Sequence, residues 1–368
     1  MKKQAEITKK VNILIYEASS GFGGSANALV NLVNNLDRKR FNPIVVIRNL
    51  GSQIDKMKNT YVIKLKNTIF DIIKIYYVIK RKHIALVHIN NNIIAGIPVI
   101  VAAKMAQIPC ICHIRQTRKL IKRERIFAKL VDVFLLINKD AVNVYKQDIP
   151  ENKLFVIHDG IDLNDFAIST EGSLRRELSL NGSPLIGLVG RIVKGKGHKE
   201  FIFASKDVIK AKPDAKFVIV GSAKGDEEAC HQEVLKLVKD EKLDSNVIFT
   251  GWRSDIANVI SSLDILVQAT TTYPEGFGLT IVEAMALGKP VVATDIPGPA
   301  DIVVDGETGF LIPPKKPHIM AEAIMKLLEN RDLARQMGLK GKGRVEELFN
   351  IRKNVKKVEE LYEQVLNS

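Results

Sequence analysis

Short runs of β-branched and aliphatic residues recur along this chain, and most are followed by a longer segment with helical spacing. In the first half the runs are residues 11–16, 44–47, 62–65, 86–89, 110–114, 133–138 and 154–158. In the second half they are residues 185–190, 217–221, 247–250, 265–268, 291–294 and 309–312. Most are apolar throughout rather than alternating. A strand that is apolar on both sides must be covered on both sides, which parallel sheets with helices on each face achieve. The pattern therefore predicts an α/β fold built twice over, as two Rossmann-like, doubly wound domains. The joint falls in residues 159–183, a stretch rich in Gly, Asp, Asn and Ser, with no internal repeat or low-complexity tract beside it. Near the end, Val355, Val358, Leu361, Tyr362 and Val365 share one face of a terminal amphipathic helix.

A chain of 368 residues suits two cores rather than one. Its 26% of charged residues beside 46% hydrophobic ones exclude a fibrous or disordered class. Residues 93–112 are the one stretch with membrane-like hydropathy. They carry Lys104 and Gln107 and are broken by Pro98 and Pro109, which fits a buried helix followed by a strand. The first ten residues are charged, so no secretory signal is expected. Cys110, Cys112 and Cys230 have no metal-binding spacing, and their odd number favours a reduced, cytoplasmic setting.

Charge is uneven. Residues 1–150 hold 26 Lys and Arg against 9 Asp and Glu, whereas residues 151–368 hold 29 against 32. A basic half of this kind suits nucleic acid, an anionic membrane surface or an anionic substrate.

The densest motif is Glu275-Gly276-Phe277-Gly278-Leu279-Thr280-Ile281-Val282-Glu283. A strand precedes it, and Ile281, Val282, Ala284, Met285 and Leu287 give helical spacing after it, closed by Gly288 and Pro290. Glu275 then stands in a loop and Glu283 about two turns into the helix. Backbone N–H groups bared by glycine at a helix start attract polar oxygens, and flanking carboxylates suit a ligand rich in hydroxyls. A second group follows the strand at 185–190: Arg191, then Lys194-Gly195-Lys196-Gly197. Arg and Lys five residues apart beyond a strand end can neutralise a diphosphate. No D-x-D pair occurs in the sequence, so a divalent-ion bridge lacks its usual ligands. His113 closes the strand at 110–114, in reach of a sugar hydroxyl or an acceptor if the strand ends line a cleft.

The nine-residue run resembles the E-x-F-G-x(4)-E signature of retaining, nucleotide-sugar-dependent glycosyltransferases of family 4. That large family includes sucrose synthases and bacterial mannosyl- and N-acetylglucosaminyltransferases. The resemblance implies the GT-B architecture, two Rossmann-like domains facing across a cleft. Residues 1–165 would bind the acceptor and 166–350 the donor, with 351–368 packing back on the N-terminal domain. It implies that Glu275, Phe277, Gly278 and Leu279 face the donor sugar and Glu283 the ribose. The match to G-R-x(4)-K-G assigns Arg191 and Lys196 to the diphosphate. The turn Ser20-Gly21-Phe22-Gly23-Gly24-Ser25 matches the family's Gly-Gly loop near the diphosphate, which assigns Gly23 and Gly24. A histidine at the position of His113 lies near the donor's reacting end. The family commonly shows Pro-Asn-Gly-Val-Asp where this chain has His158-Asp159-Gly160-Ile161-Asp162, read here as a hinge.

The implied activity is sugar transfer, without metal or other cofactor, from a nucleoside diphosphate sugar to a glycan or lipid-linked acceptor in bacterial surface polysaccharide or lipopolysaccharide synthesis. Residues 115–129, with seven cations against Glu124 alone, read as a basic amphipathic helix for an anionic leaflet. Arg118, Lys119, Lys122 and Arg123 are the expected contacts, on the cytoplasmic side. Two rival readings are a nucleic-acid-binding protein using the basic half, and a soluble-acceptor transferase or phosphorylase. Against nucleic acid stand the scarcity of interleaved aromatics in that region and the slightly acidic second half.

Overall fold

The computed structural model describes residues 10–18, 24–48, 55–65, 70–167, 173–180, 182–272 and 275–368. The chain divides into two compact units, one of Met1–Gly160 with Ile351–Ser368 and the other of Ile161–Asn350.

The first unit runs β1 (Val11–Glu17), α1 (Gly24–Asn35), β2 (Phe41–Ile47), β3 (Tyr61–Lys64), α2 (Asp71–Arg81), β4 (Ile84–Ile89), α3 (Ile93–Ala106), β5 (Cys110–Ile114), α4 (Lys122–Ala128), β6 (Val133–Leu136), α5 (Asp140–Tyr145) and β7 (Leu154–Val156). Its seven strands are ordered β3-β2-β1-β4-β5-β6-β7, and every pair is parallel. The strand order reverses between β1 and β4, which is where an open α/β sheet makes its ligand crevice.

The second unit runs α6 (Ser173–Glu177), β8 (Leu185–Val189), α7 (His198–Ala211), β9 (Lys216–Val220), α8 (Glu228–Asp240), β10 (Val247–Gly251), α9 (Ile256–Ser262), β11 (Ile265–Gln268), α10 (Leu279–Ala286), β12 (Val291–Thr294), α11 (Pro299–Ile302), β13 (Phe310–Ile312), α12 (Pro317–Glu329) and α13 (Arg331–Leu348). Its six parallel strands are ordered β10-β9-β8-β11-β12-β13, with the reversal between β8 and β11. A last helix, α14 (Ile351–Leu366), returns to the first unit.

Two-sided burial follows the strand period of two. Ile13 and Ile15 of β1 join one core, with Leu86, Ile111 and Leu135, while Leu14 and Tyr16 join the other, with Val87, Cys112 and Phe134. Helices α2 to α5 cover the second of these faces. The first is covered by α1 together with Ile351, Val355, Val358, Leu361 and Tyr362 of α14. Tyr362 sets its ring edge-on to Phe41, and its hydroxyl lies 2.6 Å from His88 Nδ1. Asn354 Nδ2 donates to the carbonyl of His158 at 2.9 Å.

Three sequence expectations need adjustment. Strand β2 starts three residues before its apolar run, and Pro43 is tolerated because only β1 flanks it there, β3 pairing from Ile44 onward. Residues 115–121 are not helical, and the expected basic helix shrinks to the seven residues of α4. The cause is Glu124, whose carboxylate reaches back to accept the amide of Ile121 at 3.1 Å and so fixes the helix start at Lys122. Glu124 also takes both Nη atoms of Arg118, at 2.7 and 2.6 Å, so that cation is not free for a membrane. Residues 93–112 do form a buried helix and a strand, and no helix among the described residues is long and apolar enough to cross a membrane.

Candidate active site

In the second unit the loops after β8 and β11 meet at the sheet's switch point. The amides of Thr271 and Thr272 donate to the carbonyl of Gly195, at 2.7 and 3.3 Å. Gly197 sits at φ +81°, and a Cβ there would lie 1.8 Å from the carbonyl oxygen of Ala269. Only glycine lets the two loops approach so closely.

That approach sets Lys196 against Glu275. Lys196 Nζ donates to Glu275 Oε2 at 2.5 Å, and both side chains are half-buried. Gln268 Nε2 and Thr270 Oγ1 donate to the same oxygen at 3.1 Å each. Gln268 is itself fixed, its Nε2 donating to Thr270 Oγ1 at 2.7 Å and its Oε1 accepting from Thr294 Oγ1 at 3.0 Å. Three donors thus hold one carboxylate oxygen, while Oε1 receives none from the described residues and keeps its accepting capacity. Gln268, Thr270 and Thr294 escaped the sequence reading. Their signal was present, as buried polar residues ending otherwise apolar strands.

Beyond Glu275 the chain turns at Gly278, φ +113°, into α10. The helix therefore begins at Leu279, and Glu283 is its fifth residue, a little over one turn in rather than two. The first-turn amides of a helix lack intrahelical acceptors, and those of Leu279 and Thr280 find none among the described residues. Glu283 is half-buried, and its carboxylate has no hydrogen-bond or ion-pair partner among the described residues. Enough protein surrounds it that desolvation alone raises its carboxyl to about 7. An unpaired carboxylate raised by burial beside free amides marks a functional site better than a structural one.

The other assigned residues of this unit stand apart. Arg191 pairs with Glu227, at 2.9 Å, while Lys196 pairs with Glu275. The Phe277 ring is buried edge-on against Phe349, centroids 5.4 Å apart, so it faces the protein interior and not a ligand.

In the first unit Gly24 opens α1 in an exposed position, and Gly23 lies outside the described residues. His113 is 4% exposed at the end of β5. Its Nδ1 lies 3.2 Å from Arg115 Nη2, so it accepts and the ring is the neutral Nε2–H tautomer. Burial, then Arg115 and His88, hold it well below the usual histidine range. Arg115 pairs with Asp159, and its Nη2 donates to Asn90 Oδ1 at 2.6 Å. Asn90 Nδ2 in turn donates to Glu17 at 2.6 Å. A buried polar chain therefore joins the ends of β1, β4 and β5, and it includes Asp159, which the sequence reading treated as hinge only. Beside it is a cavity of about 20 Å³ between His113, Asp159 and Asn354. His113 Nε2 and Asn354 Oδ1 are buried without partners among the described residues. Room for about one water is what such orphaned atoms require.

Two family models match this chain. "Glycosyltransferase Family 4" matches residues 22–165 and "Glycosyl transferases group 1" matches residues 171–344, together most of its length. The chain belongs to this glycosyltransferase family. It is 31% identical over 221 residues to the capsular polysaccharide biosynthesis glycosyltransferase CapM of Staphylococcus aureus, 59% of this chain and 57% of that one. It is 28% identical over 310 residues to an Escherichia coli UDP-Gal:α-D-GlcNAc-diphosphoundecaprenol α-1,3-galactosyltransferase, 79% and 78%. The chain thus spans less than two thirds of CapM. The crystal structure of Anabaena HepE in complex with UDP superposes with a TM-score of 0.86 at 21% identity, covering 96% of this chain and all of that one. The shared fold is GT-B, with two parallel-sheet α/β domains.

Proposed function

We propose that this protein transfers a sugar, with retention of anomeric configuration, from a nucleoside diphosphate sugar to a glycan or lipid-linked acceptor during cell-surface polysaccharide synthesis. The observation that carries the proposal is the Lys196–Glu275 pair at the switch point of the second unit, followed along the chain by α10 with Glu283, a carboxylate with no partner among the described residues. Together they supply a cation for phosphate, a fixed carboxylate for sugar hydroxyls, and a second carboxylate for the ribose. In the transfer, the bond from C1 of the sugar to the diphosphate oxygen breaks and the bond to the acceptor oxygen forms on the same face. The acceptor proton passes to the departing diphosphate. Lys196 and Arg191 stabilise the charge that develops there, in the role a metal ion fills elsewhere.

The second unit binds the donor, and the first, with His113 as a neutral hydrogen-bond donor, binds the acceptor and the reacting end of the sugar. CapM serves capsule synthesis by name, and the E. coli relative's name specifies a lipid diphosphate acceptor. Those names, and the basic first half, support an acceptor held at the cytoplasmic face of an anionic membrane. The test is slow donor hydrolysis, screened over UDP-, GDP- and ADP-sugars, with the anomer released identified by NMR. One donor should yield nucleoside diphosphate and a sugar of unchanged configuration. Inert donors, with phosphate-dependent cleavage of a glycan instead, would favour the phosphorylase reading.

A further inference from the structure

Residues 72–131 contain twelve Lys and Arg and a single acid, Glu124. Glu124 is buried under Arg118, and Asp71 at the head of α2 is buried too. Helices α2, α3 and α4 lie side by side on one face of the seven-stranded sheet, α2 against α3 and α3 against α4. Their outer surface therefore presents Lys74, Arg81, Lys104, Lys122 and Arg123 and no carboxylate of these helices, the one acid paired there among the described residues being Asp148, on Arg125 of α4.

The same surface bares large apolar groups. Phe70, Ile73 and Tyr77 are 62%, 64% and 59% exposed. Their spacing of three and four residues puts them in one stripe along α2. Met105 at the end of α3 and Ile126 on α4 are exposed as well. Apolar stripes flanked only by cations match an anionic bilayer surface, where rings and aliphatic groups enter the headgroup boundary and cations meet the lipid phosphates.

We infer that the outer face of α2, α3 and α4 rests on an anionic lipid bilayer, with Phe70, Ile73 and Tyr77 as the inserting stripe. The inference deepens the proposed use of a lipid-linked acceptor and rests on that reading for its purpose, though not for its physics. It moves the principal contact from the region around α4 to α2. RNA fits the face less well. Arg81 lies over the ring of Tyr77 and Lys82 over that of Tyr61, covering surfaces that bases would stack on. Ile73, Met105 and Ile126 offer a base nothing to stack against. A second copy of this chain fits poorly, because a two-fold contact would set like charges against one another.

The experiment is flotation of the full-length protein with vesicles of phosphatidylcholine alone, or of phosphatidylcholine and phosphatidylglycerol in equal parts. Wild type should float only with the anionic vesicles and be released by salt as screening shortens the reach of its charges. The triple variant Lys74→Gln, Arg81→Gln, Lys104→Gln should lower partitioning on the order of 100-fold, at roughly fivefold for each cation near the surface. Phe70→Ser, Ile73→Asn, Tyr77→Ser should lower it at least about tenfold by removing the inserting groups. If the second variant does not fold, the charge variant decides alone. Donor hydrolysis should be unchanged in either folded variant, because the substituted side chains belong to the other unit.

Failure of wild type to float, or variants that float as wild type does, would overturn the inference. So would binding of homopolymeric RNA, or a concentration-dependent dimer, that these substitutions abolish while flotation persists. Absent donor hydrolysis with intact, stripe-dependent flotation would count against the proposed function and leave the lipid contact standing.

Discussion

Replacing Glu283 by Gln keeps its shape and removes its titration. Burial raises the wild-type carboxyl from an ordinary 4.5 to about 7. Each pKa unit corresponds to about 1.4 kcal/mol, so the full shift is worth at most about 3.5 kcal/mol, and the half-buried position reduces that to roughly 1–2 kcal/mol. The folded state holds the proton more tightly than the unfolded chain. The corresponding stability is therefore fully present below about pH 4.5 and is lost as pH rises through about 7. Glu283→Gln should match wild type near the acid end of that window and exceed it by roughly 1–2 kcal/mol at about pH 8. Urea unfolding of both proteins across the window measures the difference, and all other titrating groups cancel in it. Equal pH slopes for the two proteins would refute a buried, unpaired carboxyl at this position. The same substitution should weaken nucleotide binding. In wild type, nucleotide binding near neutral pH should release a proton, because ribose hydroxyls hydrogen-bonded to the carboxylate favour its charged form. Calorimetry in buffers of different ionisation enthalpy reads that proton directly.

Four further outcomes follow from the same geometry. Lys196→Ala should lower kcat by about 10²-fold or more, as for loss of one preorganised charge stabiliser; a folded variant within a few-fold of wild type would remove Lys196 from the site. Glu275→Gln should damage transfer while leaving nucleotide affinity nearly intact, and equal loss of both would show that the two carboxylates have been assigned in the wrong order. Transfer should persist in excess chelator; abolition by chelator with rescue by Mg²⁺ or Mn²⁺ would defeat the cation-based account. Gly197→Ala, at φ +81° and against the carbonyl of Ala269, should cost at least about 2 kcal/mol in unfolding measurements, and an unchanged Tm would mean the loops do not meet as described.

The sequence by itself determined the element types and their order. Its thirteen apolar runs match the thirteen strands among the described residues, because two-sided burial writes continuous hydrophobicity into a parallel strand whatever its neighbours are. It also offered Glu275, Glu283 and Lys196 as candidates, since glycine-rich strand–helix turns carry their chemistry locally. Tertiary structure decided everything that depends on partners distant in sequence. Lys196 and Glu275 are seventy-nine positions apart and form a pair only because β8 and β11 are neighbours at the switch point. Arg191 turned to Glu227 and the Phe277 ring to Phe349 for the same kind of reason, which no local pattern contains. The seven cations of residues 115–129 looked alike as a string. The fold buried Arg115 on Asp159, tied Arg118 to a buried Glu124 and left α2, with its exposed Phe70, Ile73 and Tyr77, as the bare face. Helical spacing says which residues share a side, but only packing says which side meets water.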